Sequence, residues 1–282
     1  MPDPTKLLLL DFFNLAWVML ALGLFVYFLI RRSNPLIRWH EHGNVWTYPF
    51  NFLDLVVMVV ILGSYYAMIS TSATSDKPPP DLDEIGIVPI VLTQIITMSV
   101  LITGIVFVLS YARRIDVMEL FGLKRLRLTH VVLWTVGILA VSIPLIGLAA
   151  VGWNQWLEHA FGIEPEKQEL VTTMMQTEDL PVKLLMAFSA CIVAPLTEEV
   201  LFRGYFYPAL KRHSERFFAA VVISLLFAVI HNNTSSIVPL FFFAMALTLA
   251  YELTGCLLVP IAMHAIFNTV QVVLIFTLST NG

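Results

Sequence analysis

Charge is what this chain has least of. Only 13% of its 282 residues are Asp, Glu, Lys or Arg, while 58% are hydrophobic and the mean hydropathy is +0.83. Soluble domains carry about 25% charged and about 45–50% apolar residues. That balance excludes an ordinary soluble domain and describes an integral membrane protein. Cysteine is nearly absent too: Cys191 and Cys256 both lie in apolar runs, with neither a disulfide framework nor a metal-ligand spacing. They read as packing residues. The net charge is −4 and no basic patch with interleaved aromatics occurs, so there is no footprint for nucleic acid. The first residues carry Asp3 and Lys6 rather than a basic region, and no small-residue cleavage site follows. The first apolar run is therefore expected to remain as an anchor helix, not to be removed as a signal peptide.

Long apolar runs, by contrast, are plentiful. Runs of roughly 20 residues mark candidate spans, and they fall at about 7–30, 50–70, 87–112, 131–153, 182–210, 217–231, 237–253 and 256–278. The expected fold is all-α: a polytopic membrane helix bundle of about eight transmembrane helices. Residues 1–180 are expected to form an N-terminal four-span membrane region ending in an extracytoplasmic acidic segment, 154–180, with room for a short surface helix. Residues 181–282 are expected to form a C-terminal four-span core. Eleven of the sixteen Lys and Arg fall in one set of alternate loops and four in the other, with Arg203 inside a span. The positive-inside rule places the set of eleven in the cytoplasm and both termini outside. A prokaryotic host would make this the cytoplasmic membrane.

Three spans carry buried polar residues. The fifth contains Glu198-Glu199-Val-Leu-Phe-Arg203-Gly204, two carboxylates and a guanidinium in an apolar run. Ionisable groups at membrane depth cost at least a few kcal/mol each and call for a reason. On a helix Glu199 and Arg203 pair at a spacing of four, which leaves Glu198 about 100° away. The bland alternative is an ion pair that only docks this helix on its neighbours. The sixth span ends in Phe227-Ala-Val-Ile-His231, and the eighth contains His264-Ala-Ile-Phe-Asn268. Singly, a membrane histidine or asparagine is more often helix-to-helix glue. Counted at about 1.5 Å per residue, however, all three groups reach one layer near the membrane middle. Pro195 and Pro260 precede them, where a missing N–H frees carbonyls and kinks a span.

These residue types suit hydrolysis of an amide within a bilayer, which needs a water activated by a base and donors for the oxyanion. Glu198, desolvated, is a candidate base; His231 shares the water; His264 and Asn268 are candidate oxyanion donors. No serine or cysteine is placed as a nucleophile. Glu198, His231 and His264 also amount to a two-histidine, one-carboxylate donor set for zinc. Neither histidine comes in a local H-E-x-x-H pair, so the sequence gives a metal no support, and no cofactor is called for. A transporter is disfavoured, because no internal repeat of the four-span halves is visible and the polar residues gather in the second half.

The three motifs match, in order, the E-E-x-x-x-R, F-x-x-x-H and H-x-x-x-N motifs of one family. Over roughly 181–273 the chain resembles the CPBP family of intramembrane proteases, which includes type II CAAX prenyl endopeptidases and bacteriocin-processing or self-immunity proteins. The connector Tyr251-Glu-Leu-Thr-Gly255-Cys-Leu-Leu-Val-Pro260 is similar as well, with Leu253 standing where a basic residue is common. The resemblance implies a glutamate-dependent endopeptidase, in a family once described as metal-dependent. It makes Glu198 the base, His231 its partner, His264 and Asn268 the oxyanion residues, and Glu199, Arg203 and Phe227 their support. The substrate would be a membrane-associated protein or peptide met within the lipid bilayer. The alternative within the same fold is a non-proteolytic protein of bacteriocin self-immunity or a scaffold.

Overall fold

The computed structural model describes residues 4–33, 42–74, 86–165 and 169–279, and among these it is built from helices with no strand. In chain order they are α1 (Pro4–Ser33), α2 (Phe52–Thr74), α3 (Ile87–Ala112), the one-turn α4 (Val117–Leu120), α5 (Leu128–Phe161) and α6 (Glu169–Gln176). There follow α7 (Leu180–Arg212), α8 (Arg216–Val229), α9 (Ile237–Thr254) and α10 (Leu258–Ser279). Six of them have apolar stretches long enough to cross a membrane, and parts of α2 and α8 are shorter apolar helices. The all-α bundle expected from the sequence is what the chain forms. The third apolar run has the expected limits, 87–112. The fourth runs on through 154–161, the first part of the acidic segment. Gly162, left-handed at φ 65°, ends it. The short surface helix foreseen in that segment is α6.

Lipid is as apolar as leucine, so burying leucine there gains little; close packing and buried polar bonds decide how helices dock. In α7 every residue from 199 to 211 is buried. A helix apolar all round belongs in the centre of a bundle, and the core around it mixes residues of α1, α2, α3, α8 and α9. The first half of α7 is different: Leu184, Phe188, Ile192 and Leu196, spaced by four, stay 46–56% exposed. Glu198 thus sits where one helix passes from the lipid-facing rim into the core.

Two polar clusters pin the basic end of the bundle. Asp54 of α2, fully buried, accepts from Asn51 N (2.8 Å), Arg113 Nη1 (2.8 Å) and Tyr205 Oη (2.8 Å), so each carboxylate oxygen is matched. Arg113, just past α3, holds its proton above the ordinary guanidinium range, chiefly through that hydrogen bond. Lys211 of α7 donates to Glu252 of α9 and to Val45 O (3.2 Å), and Tyr207 Oη donates to the same Glu252 oxygen (2.7 Å). Beside them, the turn after α4 is wedged under the α9–α10 corner. Leu257 N donates to Phe121 O (2.9 Å), and a Cβ on Gly122 would stand 1.8 Å from Gly255 O.

Gly122 is also left-handed, at φ 63°. Gly122→Ala is therefore expected to cost about 1–2 kcal/mol for the backbone alone, with a backbone clash on top, and to lower the thermal midpoint of the protein in micelles. Gly137 of α5 has nothing within 4 Å of its own Cβ position. Gly137→Ala should leave the midpoint unchanged or raise it; equal midpoints for the two variants would contradict the wedge.

Candidate active site

The helix that carries Glu198 is not a plain α-helix. Two π-helical stretches, Ser189–Val193 and Val200–Phe206, flank the α-helical turn Ala194–Glu199. Wide turns of this kind are frequent at functional sites. In the first stretch Ala194 N bonds Ser189 O, five residues back. The next residue, Pro195, has no N–H to give to Ala190 O. Asn268 of α10 takes that carbonyl instead, donating from Nδ2 at 2.8 Å. The proline's part in the site is thus a freed backbone acceptor. Pro260 plays no such part: α10 starts at Leu258, so this proline lies in the helix's first turn, where the missing N–H costs nothing. The kink expected there is absent.

Three side chains meet at one atom. Glu198 Oε2 lies 3.9 Å from His231 Nε2 and 4.0 Å from His264 Nε2. The Glu198 side chain is 16% exposed, and its Oε2 is buried and accepts no hydrogen bond from the protein. The tautomers follow from the other ring nitrogens. His231 Nδ1 is 2.7 Å from Phe227 O, which can only accept, so Nδ1 carries the proton. His264 Nδ1 is 2.9 Å from Glu199 Oε1 and likewise donates. In their neutral forms both imidazoles therefore turn an Nε2 lone pair towards Glu198. Three acceptors converge, wider than a direct hydrogen bond and at a separation that one water can bridge.

Behind this group lies a second layer. Arg203 Nη1 donates to Glu199 Oε1 (2.9 Å), both side chains fully buried, and Arg203 Nη2 donates to Ala244 O of α9 (3.1 Å). The Arg203 guanidinium stands 4.5 Å over the Phe227 ring. That ring also touches His231 (4.7 Å between centroids) and His264 (5.8 Å, edge-on). Phe227 thus covers the guanidinium with one surface and fixes both imidazoles with the rest.

Of the residues singled out in the sequence, Glu198, His231 and His264 come together around one oxygen. Glu199, Arg203 and Phe227 stand directly behind them. Asn268 lies one turn further along α10 on the Ala190 carbonyl, with one of its two N–H groups committed. Two features were missed. Glu199 holds His264 as well as Arg203, a pairing 65 residues apart that no local spacing announces. Tyr65 of α2, whose hydroxyl donates to Ile230 O, lies within electrostatic reach of Glu198. A tyrosine in an apolar span was the only signal for it.

The donor types are those of a two-histidine, one-carboxylate zinc site, while the two imidazole nitrogens lie 3.9 and 4.0 Å from the carboxylate oxygen, wider than the about 3.3–3.4 Å between ligand atoms of a tetrahedral zinc. Among the described residues no group of three His, Cys, Asp or Glu is arranged to hold a metal.

The comparison with known proteins falls on this part of the chain. Residues 180–270 match the family described as type II CAAX prenyl endopeptidase Rce1-like. This stretch is similar to that family. It contains all three motifs, and the resemblance they carry in the sequence is shown by that match. "Putative membrane peptidase YdiL" of Bacillus subtilis (strain 168) is 28% identical over 145 residues, 51% of this chain and 56% of that protein. The match thus spans little more than half the length of that relative. No solved structure matches the chain significantly. With six long apolar helices and an Rce1-like region, the chain is an integral, multi-pass membrane protein.

Proposed function

We propose that this protein is an intramembrane endopeptidase that hydrolyses peptide bonds of membrane-associated proteins or peptides, with Glu198 and His231 activating the water. The observation that carries the reading is the convergence of Glu198 Oε2 with the Nε2 atoms of His231 and His264. A water bound between Glu198 and His231 gives a proton to the carboxylate as its oxygen attacks the carbonyl carbon. The oxyanion is met by His264 Nε2–H and by the second N–H of Asn268. His264 donates from Nε2 only as an imidazolium, because Glu199 already takes its Nδ1–H. In that form Glu198, Glu199, Arg203 and His264 sum to zero charge, the balance a site shielded from water favours. The proton on Glu198 then passes to the nitrogen of the leaving amine as the C–N bond breaks. In this reading residues 181–282 are the catalytic core, 1–180 pack around it, and both termini are extracytoplasmic. The Rce1-like match supports a protease-type function.

The test compares cells carrying the wild-type chain with cells carrying His231→Gln at equal expression, by mass spectrometry of protein termini in the membrane fraction. Termini present only with the wild type are expected, with the variant's yield of them lower by about 10²–10⁴-fold. The sequences around those termini name the substrate class, prenylated or not. Identical termini, with the variant still rescuing a deletion, would instead assign the protein to self-immunity or scaffolding.

A further inference from the structure

The backbone that carries His231 is unusual in a way that the Rce1-like region alone does not explain. Helix α8 has only 14 residues, and the chain leaves it in a tightened turn in which Asn232 N donates to Val229 O (3.1 Å). His231 N reaches back to Ala228 O rather than to Phe227 O, at a long 3.4 Å. This is what leaves Phe227 O for the imidazole Nδ1–H. The next residue, Asn232, is left-handed at φ 51°, an uncommon state for a residue with a side chain. Just before them, at membrane depth, the Ile230 carbonyl needs a donor, and the hydroxyl that supplies it is that of Tyr65, from α2.

We propose that Tyr65 is a positioning residue for His231: by holding the Ile230 carbonyl it keeps the end of α8 in the turn that gives His231 its Nδ1–H tautomer and turns Nε2 on Glu198. The inference rests on the reading of Glu198 and His231 as the water-activating pair. It adds a residue that lies more than a hundred positions before the region matched to the family. Neighbouring Tyr66 serves a different purpose, since its hydroxyl donates to Asn14 Oδ1 of α1 (2.9 Å) and fastens α2 to α1. The two tyrosines thus divide the work of α2 between the site and the bundle.

The tautomer can be read without any substrate. The full chain, labelled with 15N in its histidine rings and held in micelles at neutral pH, gives separate nitrogen signals for the two tautomers, and His231→Gln and His264→Gln assign the two site histidines. The wild type should show Nδ1–H with a bare Nε2 for His231 and both ring nitrogens protonated for His264. Tyr65→Phe, which removes one oxygen atom, should move His231 to mainly Nε2–H, the form free imidazole prefers, with His264 unchanged as the sign that the bundle is intact. Tyr66→Phe should leave both alone. An Nδ1–H signal for His231 that persists in Tyr65→Phe overturns the proposal, as does an equal change in Tyr66→Phe. A wild type whose His231 is already Nε2–H defeats the geometry of the site itself, which separates that failure from the failure of Tyr65.

Discussion

Glu198→Gln is expected to abolish cleavage and leave the protein folded. The amide has the size of the carboxylate but is no base at neutral pH. General-base catalysis contributes about 10²–10⁴-fold, so kcat should fall by about that much on any substrate that the terminus mapping identifies. Substrate binding makes no demand on the proton, so KM should move little. Stability should hold because Glu198 Oε2 accepts no hydrogen bond from the protein, and the substitution breaks none there. A change within about 0.5 kcal/mol is expected, as for a substitution that disturbs neither packing nor partners. Purified wild type and variant in micelles, assayed for cleavage and then heated, report both numbers. A variant that keeps a tenth of the activity would end the case for Glu198 as the base.

Arg203→Leu is expected to have the largest effect on stability. Its guanidinium is fully buried, donates to Glu199 and Ala244 O, and lies over Phe227. Removing it leaves the Glu199 carboxylate, itself without exposure, with His264 as its one remaining partner. Breaking a buried ion pair from one side costs about 3–5 kcal/mol, whereas removing both charges is far milder. The double variant Glu199→Gln with Arg203→Leu should therefore recover much of the loss seen in the single variant. Denaturant unfolding in micelles decides the matter. Two variants of equal stability would mean that the stranded Glu199 charge is not what the single variant loses. Activity separates the layers in another way: the double variant loses the acceptor that fixes His264, so regained stability should not restore cleavage.

Much of this arrangement could be read from the residues in order. Apolar runs located the helices because a bilayer demands about 20 apolar residues whatever their neighbours do. The i,i+4 spacing announced the Glu199–Arg203 pair. The one boundary misjudged by a wide margin, at 154, was placed by composition, although no glycine or proline lies between Gly152 and Gly162, where the helix ends. The sixth apolar run was read through His231, but α8 ends at Val229; a left-handed asparagine leaves no mark that separates it from any other Asn-Asn pair. Convergence was legible from depth alone, but the azimuths were not. Nothing local says that Glu199 faces His264, or that α2 sends a tyrosine to the end of α8. Those facts belong to the packing of helices far apart in the chain.

The π-helical stretches on either side of Glu198 set a rule for how this segment can vary. Each wide turn holds more residues than an α-helix would spend on the same rise, and removing one residue from 189–193 would let the stretch relax to ordinary α-helix. A deletion from the plain α-helical turn 194–197 has no such slack: it shortens α7 by about 1.5 Å and rotates every residue beyond it by about 100° relative to those before it. Glu198 would then leave the imidazoles, or the lipid-facing row that ends at Leu196 would be driven into the bundle. Loops of this protein can gain or lose residues at small cost. Between Ala194 and Glu199 the count of residues is itself part of the site, as binding on the chain as the identity of the carboxylate.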